Sequence, residues 1–390
     1  MPRRRTVRMD RNTTLIFLLL FFVLLYVLPL LERGLGGQPA TATPAAPTET
    51  SPTAVAGAPV LKPIPLRVGY GVSDSWFELY FTDPLNPLSK EKEGGVDGPI
   101  VQAIDRAQVS VDAALYSLSL KSVRDALLRA HKRGVRVRLV MESENMDRAV
   151  PETLKEAGIP MIGDRRQGLM HNKFIVIDGQ EVWTGSTNLT NSGVYSDNNN
   201  LIRIRSKEVA ADYSKEFEEM FLEDKFGRDK VAATPFPKVV MPDGTRVEVY
   251  FSPDDGVAAA ILPLLSSAKE SIYFLAYSFT ANDLGEAILE RAKAGVQVHG
   301  VMEKDQVASN RGTEFDPFRQ AGLDVRLDGN SGQMHHKVFI IDRAIVIFGS
   351  YNFSASAEEQ NDENLLVIYN PQIAAEFLKE FERVYAVAQP

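Results

Sequence analysis

The chain repeats itself once. "AALYSLSLKSVRDALLRAHKRGVRVRLVME" begins at Ala113, and "FLAYSFTANDLGEAILERAKAGVQVHGVME" begins at Phe274. A shift of 161 relates Tyr116 to Tyr277, Gly134 to Gly295 and Met141 to Met302. A second block, "MHNKFIVIDGQEVWTGSTNLT" from Met170, returns as "MHHKVFIIDRAIVIFGSYNFS" from Met334, now at a shift of 164. Three residues therefore entered between the blocks. A period near 160 is far too long for a solenoid unit, so the pattern describes a duplicated domain. Each copy reads as a strand (109–115; 271–275), an amphipathic helix, and a strand after a helix-ending glycine. Alternating strands and helices predict an α/β fold with parallel pairing and right-handed crossovers.

The second block carries the chemistry. His171 and Lys173 are two apart and lead into "KFIVI", so strand alternation puts both on one face. Asp178 follows His171 at an odd spacing and points away; with Gly179 it predicts a hairpin turn. The returning "EVWTG" delivers Ser186 and Asn188 to a single face. Copy two presents His335, Lys337, Asp342, Ser350 and Asn352 at identical internal spacing. Twice over, one face offers an imidazole, an ammonium, a hydroxyl and an amide.

That inventory suits a phosphodiester. Its non-bridging oxygens gain charge-assisted hydrogen bonds from Lys, Ser and Asn. Two imidazoles on opposite sides allow one to attack phosphorus while the other protonates the departing alcohol. The motif supplies no carboxylate cluster for a divalent ion, so neither metal nor cofactor is expected.

A single His-x-Lys-x4-Asp string arises by chance in about a few per cent of chains this long. Two, inside matched flanks, do not. The other histidines act as a control: His131 and His299 align with Ala292 and Arg138, and read as ordinary surface or strand residues. His336 aligns with Asn172, faces away from His335 and reads as structural, as do Asp178 and Asp342. Tyr116 and Tyr277 end strands and read as core. Glu142 and Glu303 also end strands, with no assignable role.

Residues 1–65 are different material. Arg3, Arg4, Arg5, Arg8 and Arg11 fill a basic end (1–14), and the uncharged run 15–31 follows. That run predicts one transmembrane anchor, with the arginines holding its start in the cytoplasm and everything later outside. Secretion after signal cleavage, at Ala40-Thr41-Ala42, is the rival expectation. Residues 32–65 are rich in Pro, Ala, Thr and Gly, and read as a flexible linker. Copy one then occupies 66–231, a connector 232–246, and copy two 247–390. The chain has no cysteine, which excludes disulfides and thiol chemistry. Net charge is −8, and six of its arginines lie in the first 33 residues, so the remainder is more acidic still. Nucleic acid is thereby possible as a partner but disfavoured.

With these residues in hand, the sequence resembles the phospholipase D superfamily, whose signature is His-x-Lys-x4-Asp-x6-Gly-Ser-x-Asn. His171, Lys173, Asp178, Gly185, Ser186 and Asn188 match it, as do His335, Lys337, Asp342, Gly349, Ser350 and Asn352. The likeness covers about residues 66–390. It implies two tandem α/β repeats packed with pseudo-two-fold symmetry around one shared site, metal-independent chemistry through a phosphohistidine, and phosphate binding by Ser186, Asn188, Ser350 and Asn352. Family members often carry a carboxylate thirteen past the motif serine, paired with the histidine of their own copy. That position is Glu363 in copy two but Asn199 in copy one. Such pairing would raise the pKa of His335 and suit it to act as acid, leaving His171 as nucleophile; the alternative is that the carboxylate orients and stabilises a nucleophilic histidine. The resemblance leaves the substrate open between phospholipid head groups at a membrane surface, the expected one, and nucleic acid. A catalytically silent binding domain is a third, weaker expectation. With both half-sites in one chain, a monomer is expected.

Overall fold

The structure is a computed structural model that describes residues 61–389; the run 15–31, and the anchor expected there, lie outside the described residues. No helix among the described residues is long and apolar enough to cross a membrane.

Among the described residues, seventeen strands form two sheets. In chain order, those of the first are β1 (Lys62–Ile64), β2 (Tyr70–Ser73), β3 (Phe77–Phe81), β4 (Ser110–Leu115), β5 (Arg136–Met141), β6 (Met161–Gly163), β7 (Lys173–Ile177), β8 (Glu181–Gly185) and β9 (Asn200–Arg205). The second holds β10 (Lys238–Val240), β11 (Arg246–Ser252), β12 (Ser271–Ala276), β13 (Gln297–Met302), β14 (Asp324–Leu327), β15 (Lys337–Ile341), β16 (Ile345–Gly349) and β17 (Glu363–Tyr369). Their spatial orders are β1-β2-β3-β9-β8-β7-β4-β5-β6 and β10-β11-β17-β16-β15-β12-β13-β14. From β3 and β11 onward, one order repeats the other.

The expected parallel pairing accounts for one part of each sheet, and the expected hairpin for an antiparallel part, so both sheets are mixed. Only β4-β5-β6 and β12-β13-β14 run parallel, joined by the crossover helices Lys121–Lys132 and Asn282–Lys293. The neighbours β7, β8, β9 and β3 are antiparallel, as is the β4–β7 pair. Two boundaries also shift. Strand β1 falls inside the stretch read as linker and pairs with β2, and β10 falls inside the connector and pairs with β11.

Each sheet is buried on both faces, which is why "KFIVI" and "KVFII" are apolar without alternation. Phe174 and Val176 of β7 face a central core, while Ile175 and Ile177 face the outer helices of copy one. The central core is common to both repeats. Its fillers include Tyr213, Phe217 and Met220 from the helix Lys207–Phe221 and Phe377, Phe381 and Val384 from the helix Pro371–Tyr385. Residues three and four apart on these helices give the inward stripe. Ser206 and Asn370 cap their first turns, accepting from Val209 N at 3.3 Å and Gln372 N at 2.8 Å.

The join between repeats is reciprocal. The segment ahead of β17 crosses to the strand of copy one, where His171 N donates to Asp362 O (2.9 Å) and Asp362 N to Leu169 O (2.8 Å). The segment ahead of β9 crosses the other way, with His335 N to Asn198 O (3.0 Å) and Asn198 N to Gln333 O (2.8 Å). Paired contacts of this kind are the mark of a two-fold relation. The arrangement carries the last strand of each copy into the site of the other.

Candidate active site

Backbone geometry brings the two motif histidines to this crossing. Asp178 and Gly179 have φ of 54° and 60°, and Asp342 and Arg343 have 50° and 54°, so each motif turns through a three-residue connection, 178–180 or 342–344, whose first two residues are left-handed. The carboxylate of Asp178 accepts from the N–H groups of Gln108, Val109 and Ser110 at 2.7–3.2 Å. Asp342 does the same with Lys269, Glu270 and Ser271 at 2.7–3.1 Å. Both aspartates sit at the far end of the strand from the histidines and tie the hairpin to the start of β4 or β12. At the near end, a Cβ on Gly185 would lie 2.4 Å from Asn200 O, and one on Gly349 2.2 Å from Asn364 O. Glycine is required there because the strand bearing residue 199 or 363 passes that close.

His171, Lys173, His335 and Lys337 are all buried. Each lysine donates to the carbonyl of its own histidine, Lys173 Nζ to His171 O at 2.6 Å and Lys337 Nζ to His335 O at 2.8 Å. Two N–H donors per ammonium remain for a ligand. Burial pushes Lys173 down to about 7, against the pull of Glu363. Lys337 is driven well below its ordinary value by burial and by Lys173. The two ammonium groups, from different repeats, thus feel each other across one site. An anion between them would relieve both.

The imidazoles are held differently. His171 Nδ1 lies 2.6 Å from Glu363 Oε2. His335 Nδ1 faces Asn199 Oδ1 at 2.9 Å and Ser186 O at 3.1 Å. Since Asn199 Nδ2 donates to Gly193 O (2.9 Å), its oxygen is the end turned toward His335. Every partner at either Nδ1 is an acceptor, so each Nδ1 carries the proton and each Nε2 is left for substrate. Glu363 was expected beside His335, in its own copy. The structure corrects this: Glu363 partners His171, because the strand crossing delivers it to the opposite repeat. Burial pulls His171 down to about 4 despite Glu363, and pulls His335 well below its ordinary value, with Lys337, Lys173 and His171 adding to the descent.

The serines, expected to bind phosphate, are wholly buried supports. Ser186 Oγ donates its one proton to Asn199 Oδ1 (2.8 Å) and accepts from Asn200 N (3.1 Å); Ser350 Oγ accepts from Asn364 N (3.0 Å). Asn188 and Asn352 are half-buried, and the Oδ1 of each has no protein partner. Tight turns (Thr190 N to Asn188 O and Ser354 N to Asn352 O, both 2.8 Å) stop the strand there and start a short capped helix.

Two further pairs belong to the site. Tyr116 and Tyr277, read as core, are half-buried and stand edge-on to His171 and His335, with centroids 4.8 and 4.7 Å away. Lys173 and Lys337 lie 5.1 and 4.5 Å from the same rings. Glu142 and Glu303, which had no assigned role, accept the N–H of Met170 at 3.0 Å and of Met334 at 2.6 Å. They fix the residue just before each histidine, and burial raises both carboxyls to about 7. Their recurrence at the repeat's own shift was the available signal. His336 is buried away from substrate: its Nδ1 accepts from Asn200 Nδ2 and its Nε2 donates to Glu380 Oε1, both at 2.8 Å. His299 lies half-exposed beside Asp324 (3.1 Å), and His131 sits at a helix end.

Fold and site together define a class: a two-repeat α/β protein with one composite site made of two His-Lys half-sites. The family described as "Cardiolipin synthase, PLD-like domain" matches residues 100–221 and 261–385, and the chain belongs to this phospholipase D-like family. The mitochondrial cardiolipin hydrolase of Chlamydomonas reinhardtii is 35% identical over 124 residues, 32% of this chain and 55% of that protein. The phospholipase D of Rickettsia bellii is 29% identical over 163 residues, 40% of this chain and 81% of that protein. This chain thus spans about half the length of the first of these relatives, over a stretch about one repeat long. The crystal structure of phosphatidylserine synthase from Haemophilus influenzae shares the fold across both repeats, with a TM-score of 0.62, 16% identity, and coverage of 83% of this chain and 89% of that one.

Proposed function

We propose that this chain is a phosphodiesterase that cleaves phospholipid head groups through a phosphohistidine on His171. The observation that carries the proposal is the composite site: two Nε2 atoms left free by acceptors at both Nδ1 positions, flanked by two buried ammonium groups. His171 Nε2 attacks phosphorus, the bond to the head-group oxygen breaks, and His335, protonated on Nε2 as well as Nδ1 when the substrate anion fills the site, gives its Nε2 proton to that oxygen. His335 then takes a proton from water, whose oxygen attacks phosphorus; the P–N bond breaks and both imidazoles are restored. Lys173, Lys337, Asn188 and Asn352 hold the non-bridging oxygens.

Attack turns the imidazole into a phosphorylated cation, and a carboxylate at its Nδ1 stabilises that charge where an amide cannot. Glu363 supplies it to His171, whereas His335 has only Asn199 and a carbonyl.

A lipid substrate accords with the acidic chain, the run 15–31 and the names of the relatives. The anchor, with the repeats on the non-cytoplasmic side, is part of the proposal; protease added to intact cells should degrade the repeats, and protection would overturn that topology. The activity is tested with the purified chain, excess chelator, and phosphatidylcholine or cardiolipin vesicles beside single-stranded DNA. Head-group release in chelator is expected. Cleavage of DNA alone would replace the lipid with nucleic acid, and activity restored only by zinc or magnesium would sink the mechanism.

A further inference from the structure

Lys230 leaves the first repeat just ahead of the connector, and its side chain is wholly buried. Its Nζ pairs with Glu216 and lies 3.0 Å from Asp362 Oδ1. Both carboxylates adjoin the His171–Glu363 pair by a single step. Asp362 precedes Glu363, and its carbonyl accepts the His171 N–H at 2.9 Å. Glu216 accepts Asn172 Nδ2 at 3.1 Å, and Asn172 follows His171. Asn172 Oδ1 in turn accepts Asn364 Nδ2 at 2.8 Å, on the far side of Glu363. Gly227 N donates to Asp362 Oδ1 at 2.9 Å and draws the chain carrying Lys230 into place.

The His335 half lacks such a link. Asn198 stands where Asp362 would, taking Asn330 Nδ2 at 2.9 Å. Glu380 stands where Glu216 would, taking Arg383 Nε at 2.9 Å and the Tyr70 hydroxyl at 3.2 Å. Arg383 turns its other donors to Asp83 and to Thr82 O.

We infer that Lys230 is a positioning residue for the His171–Glu363 pair. The histidine and its carboxylate come from different repeats, so no covalent path of useful length sets their separation. One desolvated ammonium holds Asp362, next to Glu363, directly, and reaches Asn172, next to His171, through Glu216 of the helix Lys207–Phe221; a buried ion pair of this kind serves register rather than net stability. The nucleophilic part of this inference rests on the function proposed above; the geometric part does not.

Two variants test it. Lys230→Met removes the grip, and Asp362→Asn installs the residue that the other half carries at Asn198. If Lys230→Met fails to fold, Asp362→Asn decides. In each, kcat for a nitrophenyl phosphodiester should fall about 10- to 100-fold with KM within about twofold, since misplacement costs rate rather than binding. The downfield proton resonance of His171 Nδ1–H should move, while that of His335 stays. A folded Asp362→Asn protein with unchanged kcat and an unmoved His171 resonance would overturn the inference. So would a loss of kcat in which both histidine resonances shift alike, or in which neither does. A wild-type chain without phosphodiesterase activity would sink the proposed function alone, because the resonances still report the positioning.

Discussion

The two halves of the site are built from one plan and differ where it matters. Each presents a histidine whose Nδ1 proton is taken by a residue from the other repeat's side of the crossing or its neighbour: a carboxylate for His171, an amide and a carbonyl for His335. Each has a lysine bonded to the histidine carbonyl, a tyrosine edge-on to the ring and a glutamate behind the preceding residue. The substitution of Asn199 for a second glutamate is a change of charge within a conserved hydrogen bond. A duplicated scaffold can therefore present two half-sites of different charge with the same ring, lysine, tyrosine and glutamate around each.

Removing either imidazole gives the largest contrast. His171→Ala should abolish turnover and any covalent intermediate, a loss of at least about four orders of magnitude. His335→Ala should still form the intermediate slowly from a nitrophenolate ester, whose leaving group needs no proton. Base quenching and peptide mass analysis locate the label; label on His335 in the His171→Ala protein would reverse the roles.

Making the halves alike is the next test. Glu363→Gln keeps an acceptor at His171 Nδ1 but removes its charge, so kcat should fall about 10²-fold with the protein still folded. An undiminished rate would mean that orientation, not charge, is what Glu363 supplies. In the opposite direction, Asn199→Glu gives His335 a carboxylate. An adjacent negative charge favours imidazolium, so the basic limb of kcat/KM should move to higher pH by about one unit. A limb that stays put or moves down would show that His335 is not the acid.

The smallest effect concerns the scaffold that the halves share. Burial alone would raise the Asp342 carboxyl, but the N–H groups of Ser271, Glu270 and Lys269 outweigh it and hold it below the usual range. Its contribution is present above the unfolded carboxyl value near 3.9 and lost as pH falls through the lower folded one. Asp342→Asn should cost about 1–2 kcal/mol in urea unfolding at pH 7, and the gap should narrow toward pH 3. A gap independent of pH would remove the carboxylate from that account.

Local sequence carried most of the half-site and little of the pairing. His171 with Lys173, the turn at Asp178 and Gly179, and the duplication itself follow from spacing, because strand alternation and left-handed turns are set by neighbours in the chain. The roles of Glu142 and Glu303 were hidden because each acts on a residue about thirty positions away, with a spacing that no short motif records. The serines follow a similar rule: spacing gives their face, but whether that face meets substrate or the next strand depends on what packs against it.

The sequence by itself determined that this chain holds two copies of a histidine-lysine half-site on α/β repeats, and that copy two alone has a glutamate thirteen past its serine. Only the tertiary structure decided which histidine that glutamate serves. Hydrogen bonds within a hairpin are fixed by register along the chain, but the segments before β9 and β17 complete their bonding across the interface, where Asp362 and Asn198 meet the strands of the opposite repeat. Glu363 therefore lies 192 positions from the ring it touches, and its partner is chosen by the packing of two sheets around one core.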